Sequence, residues 1–368
     1  MRPGWLTRLA LLGVFAVVAA ACSNDSSTPP SSDGSTTGAA AECNADISVG
    51  VALDVGGLGD KSFNDAAKRG LDNAIADGLV CEDNTEFIEA NSTGSDRDQN
   101  IQSLADAGYN LVVGVGFAFS AGVNEIAPDF ADTDFAVIDG FATCGTACGL
   151  TNDDLTNVAD LTFKEQEGSF LVGVAAALKC GCDTIGFLGG QQGIGLIEKF
   201  EAGYTAGAKA VNPDINVLVE YIGSDETAFN DAVKGEALST KMYDDGAEII
   251  YHAAGASGAG LFNAAVKADK LAIGVDSDQY LTASPEQQPL ILTSMLKRVD
   301  VATYNAIKQT GEGSFIVGPQ VFGLAEDGLD FSTSNTAELT QDIIDQMNDY
   351  KQQIIDGSIV VPDDPTKV

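Results

Sequence analysis

From residue 45 onward, runs of apolar, β-favouring residues alternate with segments of helical period. Candidate strands are ISVGVALDV (47–55), EFIEAN (86–91), NLVVGVG (110–116), FAVIDG (135–140) and NVADLTF (157–163), followed by TIGFLGG (184–190), NVLVEYIG (216–223), EIIYHAAG (248–255), LAIGVDSD (271–278) and LILTSML (290–296). Helical patterns lie between most of them, at 63–77, 97–107, 165–178, 196–211 and 260–267. The strands read as continuous apolar runs, the signature of a parallel sheet covered on both faces. Strand–helix alternation predicts βαβ units and a doubly wound α/β fold. So many strands exceed one compact sheet, so two Rossmann-like lobes are expected.

Ligands of such sheets bind beyond the carboxyl ends of the strands. Those ends carry Asp54, Gly116, Asp139, Gly189, Gly190, Gly255, Gly258, Asp276 and Asp278. A turn role would explain any one of them. Aspartates beside glycines at three strand ends together describe an acidic, hydrogen-bonding cleft.

The opening segment has a different pattern. Arg2 and Arg8 precede an apolar run, Leu9 to Ala21, that ends at Cys22. This is the layout of a secretory signal, too short for a comfortable membrane span. Ala19, Ala20 and Ala21 before Cys22 resemble a bacterial lipobox, which implies cleavage before Cys22 and a diacylglycerol on its sulfur. Residues 1–21 are thus expected to be a signal peptide, and 22–44 a lipidated cysteine with a flexible Ser/Thr/Gly/Pro tether. The expected location is the extracytoplasmic face of the cell membrane, held by the lipid.

Composition narrows the partners. The chain has 368 residues, with 54 acidic against 19 basic and a net charge of −35. Such a surface repels nucleic acid and anionic headgroups. Six cysteines remain besides Cys22: Cys43, Cys81, Cys144, Cys148, Cys180 and Cys182. Export favours disulfides over zinc, for which the single histidine, His252, is distant in sequence. Several pairings are open, and the expected set is Cys43–Cys81, Cys144–Cys148 and Cys180–Cys182, the last closing a very tight loop. No metal or cofactor is expected.

The stretch VGVALDVGGLGDKSFNDAA (49–67) has the outline of a phosphate loop. The Walker pattern fails because Asp60 separates Gly59 from Lys61, and G-x-G-x-x-G fails because Ser62 stands where glycine is needed. Asp54 and Asp60 would repel a phosphate dianion. No G-x-S-x-G elbow accompanies His252, which sits in an apolar strand, so a nucleophilic triad is not supported. Glu165 and Glu167 open a helix, where the dipole favours acids. Lys61 reads as a solvated or salt-bridging loop residue.

LDVGGLGDKSFNDAAKRGL, LTFKEQEGSFLVGVAAAL, IGFLGGQQGIGLIEKFEAGYTAGAKAVNP, YHAAGASGAGLF, IGVDSDQ and LTSMLKRVD together resemble the basic membrane protein family from about Ile47 to Gly328. These are substrate-binding lipoproteins of bacterial ABC importers, whose best understood members bind purine nucleosides. The resemblance implies a type I periplasmic-binding fold with a three-strand hinge. Lobe one would be 45–160 plus 295–313, and lobe two 161–294 plus 314–368, with a C-terminal helix near 336–356. It also implies a monomer without enzymatic activity, served by permease and ATPase subunits on separate chains. By motif position, its ligand residues carry over to Asp54, Phe63, Asn64, Asp139, Asp276 and Lys297. Tyr251 and Gly255 are the expected counterparts near the family's second stacking aromatic. Phe63 could stack on a base, Asn64 suits a purine edge, and Asp276 could accept from both ribose hydroxyls. Alternatives are a receptor for a membrane sensor, a binder of another polar ligand such as a sugar, or a nucleoside hydrolase in the same cleft.

Overall fold

The computed structural model describes residues 43–368, so the expected signal segment, Cys22 and nearly all of the tether lie outside the described residues. The strands are β1 (Val49–Leu53), β2 (Thr85–Glu89), β3 (Leu111–Val115), β4 (Asp134–Ile138), β5 (Val158–Phe163), β6 (Thr184–Gln191), β7 (Asn216–Gly223), β8 (Ile249–Ala253), β9 (Leu271–Asp276), β10 (Ile291–Lys297), β11 (Gly318–Phe322) and β12 (Leu329–Phe331). The helices are α1 (Phe63–Ala76), α2 (Arg97–Asp106), α3 (Ser120–Ile126), α4 (Glu165–Cys180), α5 (Gly195–Val211), α6 (Ala232–Asp244), α7 (Gly258–Ala268), α8 (Gln279–Thr282), α9 (Val299–Gly311) and α10 (Gln341–Ile355).

They build two six-stranded sheets within one unit, in the orders β11-β5-β4-β3-β1-β2 and β12-β10-β9-β8-β6-β7. The orders correspond strand for strand, and the lobes differ only in the direction of the edge strand, β11 or β12. All pairings are parallel except β10 with β12. β1, β3 and β8 are buried at every position, which is why their sequences show no alternation. In each sheet the strand order reverses beside the first strand of the lobe, between β1 and β3 and between β6 and β8. Those are the switch points at which such sheets bind ligands.

The chain crosses between the sheets after β5, after β10 and after β11. The crossings brace one another: Lys164 N–H donates to the Phe322 carbonyl (2.9 Å) and Arg298 N–H to the Gly328 carbonyl (2.9 Å). The sequence reading puts residues 314–368 with lobe two, whereas β11 joins the first sheet, where its backbone pairs the otherwise open edge of β5. α9 packs on α1; a Cβ on Gly70 would collide with the Asp300 carbonyl. Disulfides join Cys43 to Cys81, Cys144 to Cys148 and Cys180 to Cys182, with Cα separations of 5.0, 5.6 and 5.0 Å. Among the described residues no helix is long and apolar enough to cross a membrane, and no acidic, histidine or cysteine group could hold a metal.

Candidate functional site: an interlobe cleft

The carboxyl ends of the two sheets face each other across a cleft with about 700 Å³ of empty space, lined from both lobes. Asp54 follows β1 and Gly116 follows β3, so they flank the first switch point. Gly116 is required there: its φ is 130°, and a Cβ would lie 2.6 Å from Asp54 Oδ2. Asp54 is fixed by Asn64, whose Oδ1 accepts from Asp54 N–H (2.9 Å), and by Arg97, whose Nε donates to Oδ1 (2.6 Å). Burial raises the Asp54 carboxyl above its ordinary range although Arg97 pulls it down.

The glycine turn that follows does not hold an anion. Asp60 is buried, and its carboxylate accepts from the N–H groups of Ser62 (2.9 Å), Asn64 (2.8 Å) and Asp65 (3.1 Å). It therefore caps α1 from inside the turn and occupies the donors that a phosphate would need. Asp60 also accepts from Asn64 Nδ2 (3.1 Å), which sets the orientation of that amide. Lys61 is an exposed loop residue, as expected, and its ammonium also reaches the Thr282 carbonyl of the other lobe (2.9 Å).

Asp139 and Asp276 lie at the carboxyl ends of the equivalent strands β4 and β9. Both have left-handed backbones, φ 60° and 63°, conformations rare outside glycine and concentrated at functional sites. Burial lifts the Asp276 carboxyl to about 6, against the pull of Lys297 and a hydrogen bond from Ser62 Oγ (2.5 Å) of lobe one. Burial raises Asp139 as well, and its Oδ1 has no partner among the described residues. Lys297, at the end of β10 and 1 % exposed, holds Asp139 Oδ2 (2.7 Å) and Glu165 Oε1 (3.0 Å). Burial works against its charge, but Asp139, Glu165 and Asp276 outweigh that and hold the ammonium above its ordinary value. Glu165 is thus more than a dipole partner for α4. It is fully buried between Lys297 and Lys199, whose Nζ lies 3.0 Å from Oε2.

Aromatic rings complete the walls. Phe63 and Phe200 lie 5.3 and 5.5 Å from Lys297 Nζ, one from each lobe. Further along the cleft, Phe117 of lobe one meets Phe229 of lobe two edge-on at 6.4 Å. Of the residues expected from the sequence, Asp54, Phe63, Asn64, Asp139, Gly255, Asp276 and Lys297 line this one space. Tyr251 does not. It is fully buried beneath the second sheet among Phe187 and Tyr204, with its hydroxyl 3.2 Å from Ser169 Oγ. β8 buries both faces, so Tyr251 and His252 are core residues on opposite sides of the sheet; His252 Nε2 meets Gln279 Oε1 (2.9 Å), and burial lowers its pKa to about 4.

The family described as ABC transporter substrate-binding protein, PnrA-like, matches residues 47–365. The chain belongs to that family. A Lactococcus lactis relative named as the ABC transporter nucleoside-binding protein BmpA is 32% identical over 364 residues, covering 95% of this chain and 98% of its own. A Listeria innocua relative, named as a CD4+ T-cell-stimulating antigen, is 33% identical over 338 residues, or 87% and 89% of the two chains. A solved ABC transporter solute-binding protein from Aeropyrum pernix K1 superposes with a TM-score of 0.71 at 29% identity, covering 86% of this chain and 94% of that one.

This PnrA-like cleft is also lined by residues that the sequence reading passes over: Phe117, Phe200, Phe229, Arg97 and Glu226. Phe117 had a signal, since it follows a strand-end glycine. Phe229 sits in a 3₁₀ turn, Glu226–Asn230, without periodicity, and Arg97 opens a polar helix and reads as a surface charge.

Proposed function

We propose that this PnrA-like protein is an extracytoplasmic, lipid-anchored carrier that binds a purine nucleoside between its lobes and delivers it to an ABC permease. One observation carries this reading. The cleft's two cations are already claimed, Lys297 by Asp139 and Glu165 and Arg97 by Asp54 and Glu226, which leaves aromatic faces and carboxylate oxygens to meet the ligand. Rings on both lobes suit the faces of a purine, and carboxylates suit ribose hydroxyls and base N–H groups. A phosphate finds no free cation and meets several carboxylates. The Lactococcus relative named as a nucleoside-binding protein supports the same choice.

Binding would favour the closed form, because only that form touches the ligand from both lobes, and the permease would then read the closed shape. Lipidation of Cys22 would keep the protein at the membrane face. Calorimetry with inosine, guanosine and adenosine, beside AMP, ribose and hypoxanthine, tests the assignment. Nucleosides should bind and AMP should bind far more weakly. Ribose binding tighter than nucleoside, or AMP binding equal to adenosine, overturns it. Free base released from inosine on incubation would replace a carrier with a hydrolase.

A further inference from the structure

We propose that Arg97 and Glu226 form a latch that draws the lobes together whether or not a ligand is present. The inference rests on the two-lobe clamp described above and adds a closing force that owes nothing to the ligand.

The guanidinium is positioned entirely by lobe one. Nε donates to Asp54 Oδ1 (2.6 Å), Nη1 donates to the Gly94 carbonyl (3.2 Å), and the group lies 6.0 Å from the Phe119 ring centroid. Residue 94 gives up its side-chain space to Arg97. Its φ is 66°, and a Cβ there would collide with the guanidinium. The Arg97 side chain is 8 % exposed with the lobes together, and its bonds to Asp54 and Gly94 hold it from lobe one alone. From that position Nη1 also reaches Glu226 Oε2 of lobe two at 2.6 Å.

Glu226 begins a turn that is rooted in lobe two. The Asp225 carboxylate accepts from Thr227 N–H (3.0 Å), and Ser257 Oγ donates to the Ala228 carbonyl (2.8 Å). Forming the ion pair therefore orders one glutamate side chain and little else, which removes most of the entropic cost that makes exposed pairs weak. The same turn carries Phe229 to its edge-on contact with Phe117. The latch thus brings an aromatic wall of the cleft into place as it closes. The other charged pair between lobes, Lys297 with Asp139, lies beside a crossing strand, whereas Glu226 is a third exposed at the edge of the cleft.

A ligand-free closed population would raise the apparent affinity for any ligand that needs the closed form. The test uses the full mature chain with one spin label on an exposed site of each lobe, and reads interlobe distances by pulsed dipolar spectroscopy without ligand. Wild type should show a substantial closed population, reduced by about 0.5 M salt, which screens a pair at the cleft edge. Glu226→Gln keeps shape and hydrogen bonding but loses the charge, and should shift the ligand-free ratio toward open by about two- to fivefold. Inosine affinity should fall in proportion to the closed fraction, and so by no more than that factor. Identical ligand-free distances in wild type and Glu226→Gln overturn the latch. Weakened inosine binding with unchanged distances also overturns it, because Glu226 would then act by touching the ligand. If inosine binds neither protein, the nucleoside reading fails alone, and the distances still decide the latch.

Discussion

Asp276→Asn should separate stability from binding in a pH-dependent way. With the lobes together Asp276 is buried, and its carboxyl is lifted from 3.8 to about 6. A raised carboxyl means that the folded state holds its proton more tightly than the unfolded chain does. The stability from this group is therefore fully present below about pH 3.8 and is lost as pH climbs through about 6. A shift of about two units corresponds to about 3 kcal/mol between the limits, and about 2–3 kcal/mol between pH 4 and 7.5. Asparagine does not titrate, so the variant avoids that loss. Its stability relative to wild type should rise by about 2–3 kcal/mol over this range, or about 3–4 °C in Tm for a chain of this size. Comparing the two proteins matters because His252, whose pKa is lowered to about 4 by burial, costs stability as pH falls below about 6.5 and would blur wild-type data alone. The assay is thermal and urea unfolding of ligand-free protein from pH 4 to 7.5, with nucleoside affinity measured in parallel. A stability difference that does not change with pH would refute the reasoning. So would a variant that loses stability relative to wild type as pH rises.

The remaining predictions concern the walls and the turn. Phe229→Ala should weaken nucleoside binding by about 1–3 kcal/mol in calorimetry, with Tm unchanged within a few degrees, because the ring is half-buried and faces the cleft. Tyr251→Phe removes only the hydroxyl facing Ser169 and should leave affinity unchanged while costing about 1 kcal/mol of stability in urea unfolding. Asp60→Ala frees three N–H groups at the start of α1 and should cost about 2 kcal/mol, measured the same way.

Strand ends were the most legible part of the site. Asp139 and Asp276 were legible only together with Asp54, because a turn explains one aspartate beside a glycine but not three at separate strand ends; the structure adds that both have left-handed backbones. Tyr251 misleads for a related reason. In a strand covered on both faces, neither periodicity nor polarity tells which side a ring takes, and its hydroxyl finds a partner inside the core. Asp60 reads as one more acid of the cleft, since nothing local reveals that the turn folds its carboxylate back onto the helix. Arg97 and Phe229 were invisible because their roles depend on the other lobe, distant in sequence, and on turns without a repeating pattern. Ten of the twelve strands were legible, but the edge strands β11 and β12 were not among the candidate strands, because an edge strand takes its identity from the strand beside it.

The shared ownership of the chain by the two lobes constrains how the protein comes into being. The first sheet is not closed by the first half of the polypeptide: β5 waits for β11 and α1 waits for α9, both of which lie beyond Arg298. The second sheet likewise receives β12 only after the chain has returned through the first. A polypeptide emerging amino end first therefore cannot finish either half until Phe322 and then Phe331 are out. Early emergence leaves an open strand edge and an uncovered apolar helix face, so native packing arrives late and nearly at once. That delay makes carboxyl-terminal truncations far more damaging than their distance from the cleft would suggest.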